Sequence, residues 1–131
     1  MGMTYVRGKV SRPEGGRTVR VRFLVDTGAV YTVLPERVWR VLRLRPRRTV
    51  EFTLADGTTI VRAVSECRVE LAGVNATSPV VLGEQDDGPL LGAVTLETLG
   101  LMVNPLSRTL VPMRMTLAPL PAAVASSASR T

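Results

Sequence analysis

The residues best suited to chemistry in this sequence are Asp26-Thr27-Gly28-Ala29. An apolar run, Phe23-Leu24-Val25, ends at the carboxylate, and small residues follow it. A carboxylate at the end of a buried strand is partly desolvated, which is costly unless it is hydrogen-bonded or put to use. Thr27-Gly28 reads as the tight turn that stops the strand, because glycine admits positive φ and close backbone approach. The same residues would also suit an Asp that only opens a β-turn and accepts backbone N–H bonds.

Composition narrows the chemistry. The chain of 131 residues has no His and one Cys, Cys67. Ser-His-Asp triads, Cys-His pairs and the usual His/Cys zinc sites are therefore excluded. Cys67 lies in Val64-Ser65-Glu66-Cys67-Arg68-Val69 and reads as a strand residue with no imidazole to activate it. No phosphate-cradling Gly-x-x-x-x-Gly-Lys run occurs. Carboxylates are the natural acid–base groups that remain, and neither metal nor cofactor is expected.

The elements that must position Asp26 follow from pattern. Thr4 to Val10 reads as a strand, and Ser11 to Gly16 as a turn. In the strand Arg17 to Asp26, Val19, Val21 and Phe23 alternate with Arg20 and Arg22, giving one buried and one wet face. These two strands form a hairpin that delivers Asp26. Tyr31 to Leu34 is a short extended piece. Pro35 suits the first position of a helix, whose stripe is Val38, Trp39, Val41 and Leu42 and which Pro46 would end. Thr49 to Leu54 and Thr59 to Leu71 are strands around Asp56-Gly57-Thr58, a strong hairpin signal. Ala72 to Asn75 reads as a turn and Ser78 to Leu82 as a strand. An acidic loop over 83–88 holds Asp86 and Asp87, read as solvated. Leu90-Leu91-Gly92 is a short buried strand, and Val94, Leu96 and Leu99 suit a two-turn helix closed by Gly100. Strands over 101–103 and 109–115 follow. The expectation is one domain over 1–117 and a disordered tail over 118–131, rich in Ala, Ser and Pro.

The net charge is +6, and six arginines fall between Arg37 and Arg48. Such a cluster can bind phosphate backbones, but no RNA-reading aromatics are interleaved and the spacing suits a solvated helix face. Nucleic-acid binding is not expected. No apolar stretch approaches the roughly 20 residues of a membrane span, and no signal-peptide core is seen at the start. A cytoplasmic protein that does not bind membranes is the expectation.

A strand ending in Asp26-Thr27-Gly28-Ala29, a long hairpin turning at Asp56-Gly57, and a second apolar strand leading into a short helix stand in one order. That order resembles a retropepsin-like (clan AA) aspartic protease over about residues 4–115. The segment Leu90-Leu91-Gly92-Ala93-Val94-Thr95-Leu96-Glu97-Thr98-Leu99-Gly100-Leu101 is similar to that of the small single-domain prokaryotic members. The resemblance implies a mainly β, single-lobe acid-protease fold with a flap hairpin and one or two short helices. It implies an aspartic endopeptidase in which Asp26 of each subunit of a homodimer activates water against a peptide or protein substrate. Thr27 would fix the two turns across the dimer. Gly28, with Ala29 beside it, would let backbone lie near substrate. Asp56, Gly57 and Thr58 would form the flap tip, and Leu90, Leu91 and Gly92 the second-motif strand. Retroviral members pair an Asp and an Arg at positions that are Val30 and Ala93 here, so the dimer must be braced differently. The same scaffold could also serve as a dimeric peptide-binding or protein-binding module with little or no turnover.

Overall fold

The computed structural model describes residues 2–119; the expected tail over 118–131 lies, from residue 120 on, outside the described residues. Eleven elements follow in order: β1 (Tyr5–Ser11), β2 (Thr18–Val25), β3 (Thr32–Leu34), α1 (Glu36–Val41), β4 (Arg48–Thr53), β5 (Thr59–Leu71), β6 (Val74–Leu82), β7 (Leu90–Leu91), α2 (Ala93–Leu99), β8 (Leu101–Asn104) and β9 (Thr109–Pro112). Seven strands form one sheet in the order β1-β2-β7-β3-β6-β5-β4, and β1 also pairs with β5. β8 and β9 form a separate two-stranded ribbon. The fold is mainly β, as the alternating runs require.

The alternation in β2 sets its two faces. Val21 and Phe23 are buried while Arg20 and Arg22 are exposed. Phe23 shares one core with Leu34, Val38, Leu71, Leu91 and Leu96. Each such fully buried side chain contributes about 1.5–3 kcal/mol by leaving water. With only five aromatic residues in the chain, leucine and valine fill most of this volume.

Several boundaries differ from the sequence expectation: β9, for one, ends at Pro112 and not at 115. Backbone geometry accounts for the start of β6 and the end of α1. β6 begins at Val74, four residues before Ser78. Ala72 and Gly73 both have positive φ (51° and 79°), which makes a two-residue turn and lets pairing resume at once, with Leu71 opposite Val74. Helix α1 ends at Val41, well before Pro46. Arg43 takes a left-handed φ of 56°, and Leu44 N–H turns back to Trp39 C=O at 3.0 Å. Pro35 stands one place ahead of the helix as its N-cap, in extended geometry (φ −66°, ψ 156°).

The feature that positions the site is the placement of β7. β2 and β3 flank the turn 26–31, yet they do not pair with each other. β7 inserts between them, parallel to β2 (Leu24 opposite Leu90, Val25 opposite Leu91) and antiparallel to β3 (Val33 opposite Leu90). Leu91 is wholly buried there.

Candidate active site

Asp26 leaves β2 with its own N–H donating to Leu91 C=O at 3.0 Å, so β7 fixes where the strand ends. One carboxylate oxygen, Oδ1, accepts the Gly28 N–H at 3.0 Å, and Ala29 N–H returns to Asp26 C=O at 3.1 Å. The turn is therefore a closed Asx turn. Asp26, Thr27 and Gly28 are all exposed in the single protomer. This corrects the expectation of a partly desolvated Asp26. The turn carries residues 26–28 past the end of the apolar strand, and the chain is buried again only at Thr32.

Beneath the turn the second motif closes tightly. Ala93 N–H donates to Ala29 C=O at 2.8 Å, and Val94 N–H to Val30 C=O at 3.0 Å. The first amides of α2, which have no partner within their helix, are thus taken by carbonyls of the Asp26 turn. Where the sequence pattern lacks a charged pair at Val30 and Ala93, each of the two instead bonds through backbone to the other's neighbour, Val30 to Val94 and Ala93 to Ala29. Gly92 is required by contact. A Cβ there would stand 2.5 Å from the Tyr31 carbonyl carbon and 2.6 Å from its oxygen.

A buried hydroxyl chain supports Gly92. Its N–H donates to Thr32 Oγ1 at 3.0 Å. Thr32 Oγ1 lies 2.6 Å from Thr95 Oγ1, which lies 2.8 Å from Ser78 Oγ, and Ser78 Oγ donates to Pro79 C=O at 3.2 Å. One assignment lets every hydroxyl both accept and donate: Gly92 to Thr32, Thr32 to Thr95, Thr95 to Ser78, Ser78 to Pro79. All three hydroxyl residues are buried. The sequence reading missed them. The available signal was a polar residue set inside an apolar stretch, as Thr32 is before Val33-Leu34 and Ser78 before Pro79-Val80-Val81.

A cleft of about 390 Å³ opens beside the turn. Gly28 and Ala29 form one side, Phe52, Leu54 and Ile60 of the β4–β5 hairpin the other, and Val81 and Leu90 also line it. Side-chain contacts tie hairpin to body. Arg48 donates to the Tyr31 hydroxyl at 3.0 Å, and Tyr31 meets Phe52 edge-on with ring centres 5.9 Å apart. Arg62 of β5 pairs with Glu84 at 3.3 Å and Asp87 at 3.8 Å. Asp87 is therefore half-buried and engaged, whereas Asp86 is exposed. Arg62 was also missed; a lone Arg in an apolar strand does not announce its partners.

At the hairpin tip, Asp56 curls its carboxylate onto Thr58. Oδ1 accepts the Thr58 hydroxyl at 2.6 Å and the Thr58 N–H at 3.0 Å. Those bonds, the hydroxyl first, hold its carboxyl below the ordinary range. Gly57 takes the φ of 88° that the turn demands. The carboxylate is tied to Thr58 but stays exposed at the tip. Cys67 is fully buried, and burial pushes its thiol up to about 12, in keeping with a strand residue. Among the described residues no group of three or more His, Cys, Asp or Glu could hold a metal ion.

The comparisons with known proteins agree with this layout. The family model described as "gag-polyprotein putative aspartyl protease" matches residues 15–98. The fold is similar to the solution structure of simian foamy virus (mac) protease, with a TM-score of 0.52 and 18% identity over 71% of this chain and 91% of that one. It is similar as well to EIAV protease complexed with the inhibitor HBY-793, with a TM-score of 0.59 and 14% identity over 88% of this chain and 94% of that one. No curated protein matches the sequence.

Proposed function

The chain belongs to the gag-polyprotein aspartyl protease family, and from that premise we propose that it works as a homodimeric aspartic endopeptidase. The observation that carries this reading is the single Asp26 turn. It is braced by β7 and α2, its carboxylate is exposed, and it opens onto a mainly apolar cleft under a hairpin. One such carboxylate is half of a site. Two, brought together about a two-fold axis, would share one proton, because like charges a few Å apart resist joint ionisation. One then takes a proton from water as base while the other, protonated, donates to the scissile carbonyl oxygen. A peptide would lie extended between the turns and the β4–β5 hairpins, held by main-chain hydrogen bonds with alternate side chains in the two clefts. Thr27, exposed beside Asp26, would bridge the two turns. Exposed Met3, which precedes the Thr4 carbonyl bonded to Val25 N–H, offers apolar area for the second copy to cover. The Leu90–Leu101 segment is what supports a place among the small single-domain prokaryotic members.

One observation favours a second reading, a dimeric peptide-binding module. Asp26 Oδ1 is already satisfied by Gly28 N–H, as in any Asx turn. Mass spectrometry of a mixed peptide library separates the two. The parent protein should cleave between about pH 4 and pH 7, and Asp26→Asn should lose about 10²-fold or more in rate, the lower range for a general acid–base group. Activity should also fall faster than linearly on dilution. Equal cleavage by both proteins defeats the protease reading, and peptide binding without cleavage by a demonstrated dimer establishes the module.

A further inference from the structure

We propose that the outer face of the β1–β2 hairpin is a docking groove for a phosphodiester chain, that is, for single-stranded nucleic acid. The register sets Arg7 directly opposite Arg22 and Lys9 directly opposite Arg20. All four are exposed on one face. Like charges opposed across strands destabilise a sheet, and the fold does not relieve them. Among the described residues the ion pairs go to Arg12, Arg40, Arg47 and Arg62, and none of the four takes part. One carboxylate, Glu70, lies across from Lys9 on β5.

This array borders a cavity of about 450 Å³. A second cavity of about 230 Å³, with Lys9 and Glu70 common to both, carries the face on past Ser11 and Thr18 to Arg68. Successive outward rows in a strand lie about 7 Å apart, so the two exposed rows, Arg7 with Arg22 and Lys9 with Arg20, are set about that far apart. A chain of regularly spaced monoanions fits such twin rows of cations. Tyr5 distinguishes the occupant from an acidic peptide. It ends the groove half-exposed, with the Arg22 guanidinium 4.0 Å from its ring centre, a platform of the kind on which bases stack. The Arg37–Arg48 cluster singled out by the sequence is less available. Arg40 is paired with Glu36, Arg47 with Glu66, and Arg48 with the Tyr31 hydroxyl.

The test is fluorescence anisotropy of the full chain with a labelled oligothymidylate. Four phosphate contacts to a single strand give a slope of log K against log salt near −2.8, or about fifty-fold weaker binding between about 50 and 200 mM. Arg7→Gln/Arg20→Gln removes two cations, spares the Arg22–Tyr5 contact and reduces like-charge repulsion, so folding is retained. It should flatten the slope by about 1.4. Arg37→Gln/Arg45→Gln, of equal charge, should flatten it by less than half as much. Equal loss in the two variants, or no salt-dependent binding by the parent, overturns the proposal. So does competition by a polyglutamate peptide as effective as that by unlabelled oligonucleotide.

Discussion

Replacing Thr95 by Val exchanges one hydroxyl for one methyl at a position fully closed to solvent. The shape is nearly kept, so the consequence is confined to hydrogen bonding. Two bonds go, those to Thr32 Oγ1 and Ser78 Oγ. Their loss leaves the Thr32 hydroxyl with a proton and nowhere to send it, and leaves Ser78 without its donor. Each neutral bond contributes about 1 kcal/mol net, and an orphaned buried donor costs about 1–3 kcal/mol. The added methyl returns about 1 kcal/mol. The expected destabilisation is therefore about 2 kcal/mol, or a fall in Tm of about 8 °C for a chain of this size. Urea and thermal unfolding, at one fixed protein concentration because self-association would shift both, provide the measurement. Thr98→Val is the control: its hydroxyl donates only to Val94 C=O on an exposed helix face, and a change within about 0.5 kcal/mol is expected. In the double variant with Ser78→Ala, the second substitution should cost less than it does alone, since the two share one chain of bonds. A Thr95→Val protein within about 0.5 kcal/mol of the parent, or strictly additive doubles, would refute the hydroxyl relay as the support beneath Gly92.

Gly92→Ala places a carbon against the Tyr31 carbonyl at 2.5 Å, and should cost about 3 kcal/mol or more in unfolding experiments, with the turn displaced. Asp26→Asn should leave thermal stability within about 0.5 kcal/mol, because the residue is exposed and an amide oxygen can still accept from Gly28 N–H. The hairpin tip should loosen in acid. The Asp56 carboxyl is depressed below its ordinary 3.8, so its contribution is complete above that value and is lost as pH falls through the lower folded-state value. Amide exchange at Thr58 reads this directly, and Thr58→Val should move the loss to higher pH. Cys67, with its thiol raised to about 12, should resist alkylation at neutral pH in the native protein and react fully in urea.

Local chemistry made much of this fold readable. β5 begins and ends where its alternating pattern says, because Asp56-Gly57 and Ala72-Gly73 punctuate it. The motif strand, its Gly92 and the helix behind them were equally plain. The insertion of β7 between β2 and β3 is a non-local fact that no window of sequence contains; the resemblance to a known family supplied the fold class but not this strand order. For the same reason the three buried hydroxyls escaped notice: each looks ordinary in its own segment, and their meaning lies in meeting. The exposure of Asp26 was misjudged because burial was inferred from the strand, while the turn after it decides the matter. Arg20 and Arg22 were rightly placed on a wet face, but their confrontation with Lys9 and Arg7 depends on register.

The bonds that complete the Asp26 turn come from far along the chain. Thr32 and Gly92 are 60 residues apart, and Thr32 and Thr95 are 63. A polypeptide emerging from the ribosome makes the aspartate early and its brace late, and pairings across so long a span are slow to form. Until α2 has been synthesised and docked, the Ala29 and Val30 carbonyls have no amides to accept from, and the turn is left with its local Asx bonds alone. On the protease reading proposed above, the timetable of synthesis acts as a safety catch: a nascent chain carries the aspartate before it carries the brace beneath it.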